Sequence, residues 1–255
     1  MPRATNIEET NMNDFAVSES LARKVLETVD AGLSNGLGEP VPGKMCVEAA
    51  VCYAMGLPHS DRPTCVGEAV RRFEIRLNDS SWSSRTARTN GMRKLAIAQL
   101  GSNSINQRAF ARIVTEQTIR QIIPIALRSA AKCVPSHAEA LERAAKWCEQ
   151  EGTEEATRNA RDVARDVADA DHACAATFAA VRAVTFADEA TTKAKDGCDL
   201  AAADAVAEAA SLSAEAASAA RDDVLNKTAE IALQALIELN SPGCEYLFLT
   251  DVKSV

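Results

Sequence analysis

Between Ala156 and Ala235 roughly a third of the positions are alanine, and small residues recur at i, i+3, i+4 and i+7. Few folds accept such a stretch. Alanine is the strongest helix former and fills little volume, so helices built from it can bring their axes to the lower end of the usual ~8–10 Å range. Stacked antiparallel helical hairpins meet that condition. Sheet packing, which relies on aromatic and β-branched side chains, does not. Aromatic residues make up only 4% of the chain although 47% of it is hydrophobic. The sequence therefore predicts an all-α protein, a small N-terminal helical module packed on an Ala-rich antiparallel helical array. The 255 residues suffice for one large or two small domains.

Residues 1–13 are polar and read as a frayed tail, 14–101 as the helical module, 105–240 as the array and 241–255 as a docking tail. In the module, periodicity predicts helices over about 14–33, 44–55, 65–77 and 84–100, with Thr64 capping the third and Gly91 a weak point in the fourth. Phe73–Leu77 (FEIRL) alternates and admits a short strand instead. A helix over 106–134 meets Pro124, which kinks or splits it. Ser136 with Glu139 reads as a capping box, and Thr153 caps the next helix. A break is expected near Asp169–Asp171, and Gly197 and Asn240–Gly243 punctuate the rest. The apolar CEYLFLT tail reads as β-prone and destined to dock on the core.

Charge is uneven. From Lys44 to Lys94 nine basic residues face five acids, a net +4, which leaves −12 on the remainder of a chain of net charge −8. A cationic island on an acidic protein suits a small anion, whereas the acidic remainder repels a long polyanion, so extended nucleic acid is not an expected partner. Arg72 and Arg76 share one helix face. Arg85 and Arg88 share another, with Arg93 and Lys94 about a turn or two further on. Trp82 and Ser83 lie in the turn NDSSWSS between those helices. Guanidinium forks grip phosphates and an indole can stack on a base. The expected ligand-binding set is Lys44, Arg72, Arg76, Trp82, Ser83, Arg85, Arg88 and Arg93. Surface arginines paired with Glu68, Glu74 and the acidic later helices, around a core Trp82, explain the same pattern.

Other motifs carry less. Gly38 and Gly43-Lys44 sit at phosphate-loop spacing, but Met45 replaces the Ser/Thr that would hold magnesium, two prolines remove amide donors, and a helix precedes the loop. Cys46, at a helix start beside Lys44, and His59 in the next loop are weak candidates for a catalytic pair, against a structural reading of buried thiols. Cys46, Cys52, His59, Asp61 and Cys65 follow one another at intervals of 6, 7, 2 and 4, without the short pairs of a zinc site. Asp169, Asp171, His172 and Cys174 supply two or three ligands at most. No metal or cofactor is expected. The acids Glu154, Glu155, Asp162, Asp166, Asp169 and Asp171 read as a solvated face, with Arg158, Arg161 and Arg165 at i,i+4 spacing. The eight cysteines form no framework, and no leader or 18-residue apolar span is seen. A cytoplasmic protein with free thiols and no membrane contact is expected.

The segment IIPIALRSAAK…HAEALERAAKWCEQEGTEEATRNARDVARDVADAD with the Ala-rich helices after it, about Thr115–Ala235, resembles immunity proteins encoded near bacterial toxin systems. That resemblance implies a compact helical array that neutralises a protein partner. Gly43–Gly101 resembles a motif of uncharacterised bacterial and phage-type proteins and implies no activity. The leading expectation is a non-enzymatic binding protein that sequesters or senses a small phosphate-bearing or nucleotide-derived ligand. An immunity-type module acting through an acidic helical face is the alternative, and a cysteine-dependent enzyme is the third reading. Small-residue faces on the later helices also suit pairing of two copies of the chain.

Overall fold

The computed structural model describes residues 17–169 and 174–251. Among them are eleven α-helices and no strand. The first four are α1 (Glu19–Asp30), α2 (Val47–Ala54), α3 (Glu68–Asp79) and α4 (Arg85–Ala98). Next come α5 (Gln107–Gln121), α6 (Ile123–Cys133), α7 (Ala138–Glu151) and α8 (Glu154–Ala168), then α9 (Ala175–Lys195), α10 (Asp199–Ala216) and α11 (Arg221–Glu238). The frayed tail expected over 1–13 and part of the break expected near Asp169–Asp171 lie outside the described residues.

Side-chain caps set several of the boundaries. Ser18, Ser84, Asn106 and Thr153 each accept the amide three residues on, which satisfies a donor that the first helical turn leaves open. Two expected caps are not used. Gly67 occupies the N-cap of α3, while the Thr64 carbonyl accepts from Asn103 Nδ2. Ser136 lies inside a 3₁₀ turn, Pro135–His137, and its hydroxyl pairs with the His137 ring, so α7 starts without a side-chain cap. Pro124 splits the long helix: α5 ends at Gln121 and α6 takes the proline into its first turn, where no amide is missed. Phe73–Leu77 is helical, inside α3. The tail docks as expected but forms a 3₁₀ segment, Pro242–Asp251, against α4. Ser241 Oγ donates to the Ala98 carbonyl (2.6 Å) and the Gly243 amide to the Leu100 carbonyl (2.7 Å).

Two buried clusters hold the molecule, and they do not divide at residue 101. The first joins α1–α4 with α5, α10, α11 and the tail; the second joins α5–α9 with the C-terminal half of α10. In the first, the Phe73 and Phe110 rings meet edge to face at 5.9 Å, a geometry worth ~0.5–1.5 kcal/mol beyond the area it buries. α10 belongs to both clusters. Ala202, Ala203, Ala205, Val206, Ala207, Ala209 and Ala210 are all buried, and from Ala201 on only one narrow stripe of the helix, Ala201, Asp204, Glu208, Ser211 and Glu215, is less covered. Alanine lets α3, α5, α9 and α11 all reach it. Among the described residues no helix is long and apolar enough to cross a membrane.

Candidate functional site

α1 ends at Asp30, and Ala31 and Gly32 turn the chain toward the loop at 33–46. The end of α1, one face of α4 and one face of α11 enclose a cleft of about 960 Å³. Its floor is apolar, from Leu95, Ala229 and Leu233, and its walls carry Arg85, Arg93, Lys94, Asn90 and Asn226 with the acids Asp30 and Glu230. α4 supplies most of the polar groups because residues 85, 86, 89, 90, 93 and 94 recur at helical spacing along one side. The first turn of that helix contains no acid of its own, and the Asp222 carboxylate of α11 reaches Ser83 just before it.

Gly91 sets how closely the walls approach. A Cβ there would lie 2.2 Å from Trp82 Cη2 and 2.8 Å from Asn226 Oδ1. The glycine therefore admits the indole and α11 against α4, and it is a point of close packing rather than a weakness in the helix.

The eight expected ligand residues do not form one clamp. Arg85 lines the cleft, exposed and without an ion-pair partner among the described residues. Arg93 also lines it, but its guanidinium is forked onto Asp30 (2.7 and 3.0 Å) and donates to the Thr250 carbonyl, tying α4 to α1 and the tail. Lys94, outside the expected eight, is the cleft's second exposed cation without an ion-pair partner among the described residues. The others are engaged elsewhere. Arg72 pairs with Glu68 (3.4 Å), and Arg76 reaches across to Asp204 and Glu208 on α10. Lys44 pairs with Glu39 (3.1 Å). Arg88 is buried, donates to the Asn78 carbonyl at 2.7 Å, and is held below the usual arginine range by that burial. Ser83 gives its amide and hydroxyl to Asp222 in the first turn of α11.

Trp82 offers no stacking face. It is 7% exposed, and its Nε1–H donates to the Leu77 carbonyl at 2.9 Å. This is the core position that the charge pattern also allowed.

The cysteine reading is corrected by burial. Cys46 caps α2, its sulfur accepting the Ala49 amide at 3.4 Å. Burial, the largest influence, pushes its thiol up to about 12 despite the amide bonds, which disfavours the thiolate that a nucleophile needs. His59 Nε2 donates instead to the Gly38 carbonyl (3.1 Å). The Gly38–Lys44 loop is closed on itself. The amides of Glu39 and Lys44 donate to the carbonyls of Lys44 and Val41, and Gly38, at φ +72°, would place a Cβ 2.0 Å from the Lys44 carbonyl oxygen. The amides of Glu39, Val41 and Lys44 are thus spent within the loop rather than offered to a phosphate.

Among the described residues no three His, Cys, Asp or Glu side chains are grouped to hold a metal ion. Asp171 and His172 lie outside the described residues. On the acidic face Glu154 binds both Arg158 and Lys195, and Arg161 binds Asp162 and Asp188, so part of that charge is compensated within the chain, while Glu155, Asp166 and Asp169 stand in no ion pair among the described residues. Asn90 and Asn226 line the walls without being marked by the charge pattern. Lys94 had been counted in the basic stretch, but nothing in the sequence says that α11 faces α4. No family model matches the chain, and no curated protein or solved structure was found to match it.

Proposed function

We propose that this is a non-enzymatic binding protein, cytoplasmic, that sequesters or senses a small phosphate-bearing or nucleotide-derived ligand in the cleft between α1, α4 and α11. One observation carries the reading: Arg85, in the first turn of α4, and Lys94, toward its other end, are both without ion-pair partners among the described residues and line a 960 Å³ cavity. Cations so placed favour an anion. The apolar floor of Leu95, Ala229 and Leu233 suits the flat body of such a ligand, and Asn90 and Asn226 can read its edges. The immunity-type alternative rests on the resemblance of residues 115–235, and the partly compensated acidic face gives it less support.

The test is a thermal-shift titration with inorganic phosphate, nucleoside mono- and triphosphates, cyclic nucleotides and ADP-ribose. A bound compound at about a hundred times its dissociation constant stabilises by ~2.7 kcal/mol. That shift is expected to vanish in Arg85→Ala and Lys94→Ala and to persist in Arg72→Ala, whose side chain is outside the cleft. No shift with any of these compounds overturns the proposal.

A further inference from the structure

Arg85 and Lys94 line one cleft but stand too far apart to serve one phosphate. They are nine residues apart in α4, a rise of about 13.5 Å over roughly two and a half turns. They therefore leave the helix at opposite ends of the cleft and from opposite flanks of its wall. Helical side chains lean toward the N-terminus, which shifts both heads the same way and keeps them separated. The Arg85 guanidinium lies over Gly32, where a Cβ would come 3.5 Å from its Nη2.

Between these two cations the wall offers little free charge. The Thr89 hydroxyl accepts the Leu33 amide (2.9 Å), and Asn90 is neutral. Arg93 is forked onto Asp30. Beneath them lies the apolar floor of Leu95, Ala229 and Leu233. Glu230, the other lining acid, accepts from Gln234 Nε2 (2.6 Å), and the two acids stand against three cations. The volume of 960 Å³ lies at the upper end of the range for small-molecule sites, which leaves room for a ligand that spans both cations.

We propose that the ligand of this cleft is anionic at both ends: a short nucleotide chain phosphorylated at both termini, with one end phosphate on Arg85 and the other on Lys94.

This rests on the anion-binding reading of the cleft and narrows it. Inorganic phosphate or a mononucleotide reaches one cation and leaves the other in water. The adjacent phosphates of a nucleoside triphosphate stay together at one end. A compound with a phosphate at each end engages both cations while its bases cover the apolar floor. Once the first phosphate is held, the second binds as an intramolecular event, so affinity rises without any new kind of contact. A long polynucleotide does not fit, because the acidic remainder of the chain repels it.

Calorimetric titration of the native protein with AMP and with diadenylate carrying one end phosphate (pApA) or both (pApAp) tests this. The expected result is that pApAp binds about tenfold more tightly than pApA, or better. Lys94→Ala should erase that difference, and Lys94→Arg, which keeps the charge, should retain it. Arg72→Ala, outside the cleft, should leave it unchanged. Equal affinity for pApA and pApAp in the wild-type protein overturns the two-ended ligand and leaves the cleft an anion site. So does a preference for pApAp that survives Lys94→Ala. Failure of AMP and both dinucleotides to bind overturns the anion-binding reading itself, and this inference with it.

Discussion

Glu48 on α2 and Glu74 on α3 are fully buried, and their carboxylate oxygens have no hydrogen-bond partner among the described residues. Burial pushes both carboxyls well above the usual range. The Glu48 charge reinforces this at Glu74, while Arg71 only partly offsets it at Glu48. A charged form left unpaired in such a place is costly, so burial favours the protonated acid at both positions. In the unfolded chain they ionise near the ordinary glutamate value of 4.5. The folded state therefore binds more protons than the unfolded state above that pH. Their contribution to stability is full below it and is lost as pH rises toward the raised folded values, by up to ~1.4 kcal/mol per group and pH unit. Replacing both by glutamine removes this linkage. Urea midpoints measured from about pH 5 to 9 should fall for the wild type and stay flatter for the double variant. Equal slopes would mean that the two acids are ionised in the folded protein.

α10 owes its place to alanine, not to a hydrophobic stripe. From Ala201 on, its buried positions cover all but one stripe, Ala201, Asp204, Glu208, Ser211 and Glu215, and are mostly alanine, so the core side shows little hydrophobic contrast in the sequence. Leucine is nearly as good a helix former as alanine, yet Ala207→Leu should destabilise by ~1–3 kcal/mol because the added atoms have no space. Glu215→Leu, at an exposed position on the same helix, should change stability by less than about 0.5 kcal/mol. Denaturant titration of both variants separates a packing cost from a propensity effect, and equal effects would contradict tight packing around α10. The helices themselves were legible because their period, their Ser, Asn and Thr caps, Pro124 and Gly152 are local signals. The pairing of the arginines was not. Arg76 finds Asp204, Ser83 finds Asp222 and Arg93 finds Asp30, all far away in the chain. For the same reason the cleft was only half visible. Its α4 wall could be read from Arg85, Arg93 and Lys94, while its α11 wall depends on a tertiary contact that Gly91 permits.

At the scale of the whole molecule, α10 makes two cores behave as one. Ala203 and Val206 belong to the cluster that contains Trp82, while Ala209, Leu212 and Ala216 belong to the cluster against which Trp147 packs. Exposing either cluster strips one side of the same helix. The N-terminal segment through α4 also cannot close its own core, since Phe73 packs on Phe110 and α4 packs on α11 and the tail. This coupling favours one cooperative transition over two, although the chain exceeds the ~150 residues below which two-state unfolding is the rule. Trp147→Phe leaves Trp82 as the only indole, a reporter of the first cluster alone, while far-UV circular dichroism weighs every helix. In that variant the fluorescence and dichroism midpoints in urea should coincide. A substantial helical signal persisting after Trp82 has become exposed would show that the array holds together without the N-terminal helices, and that α10 does not transmit the loss.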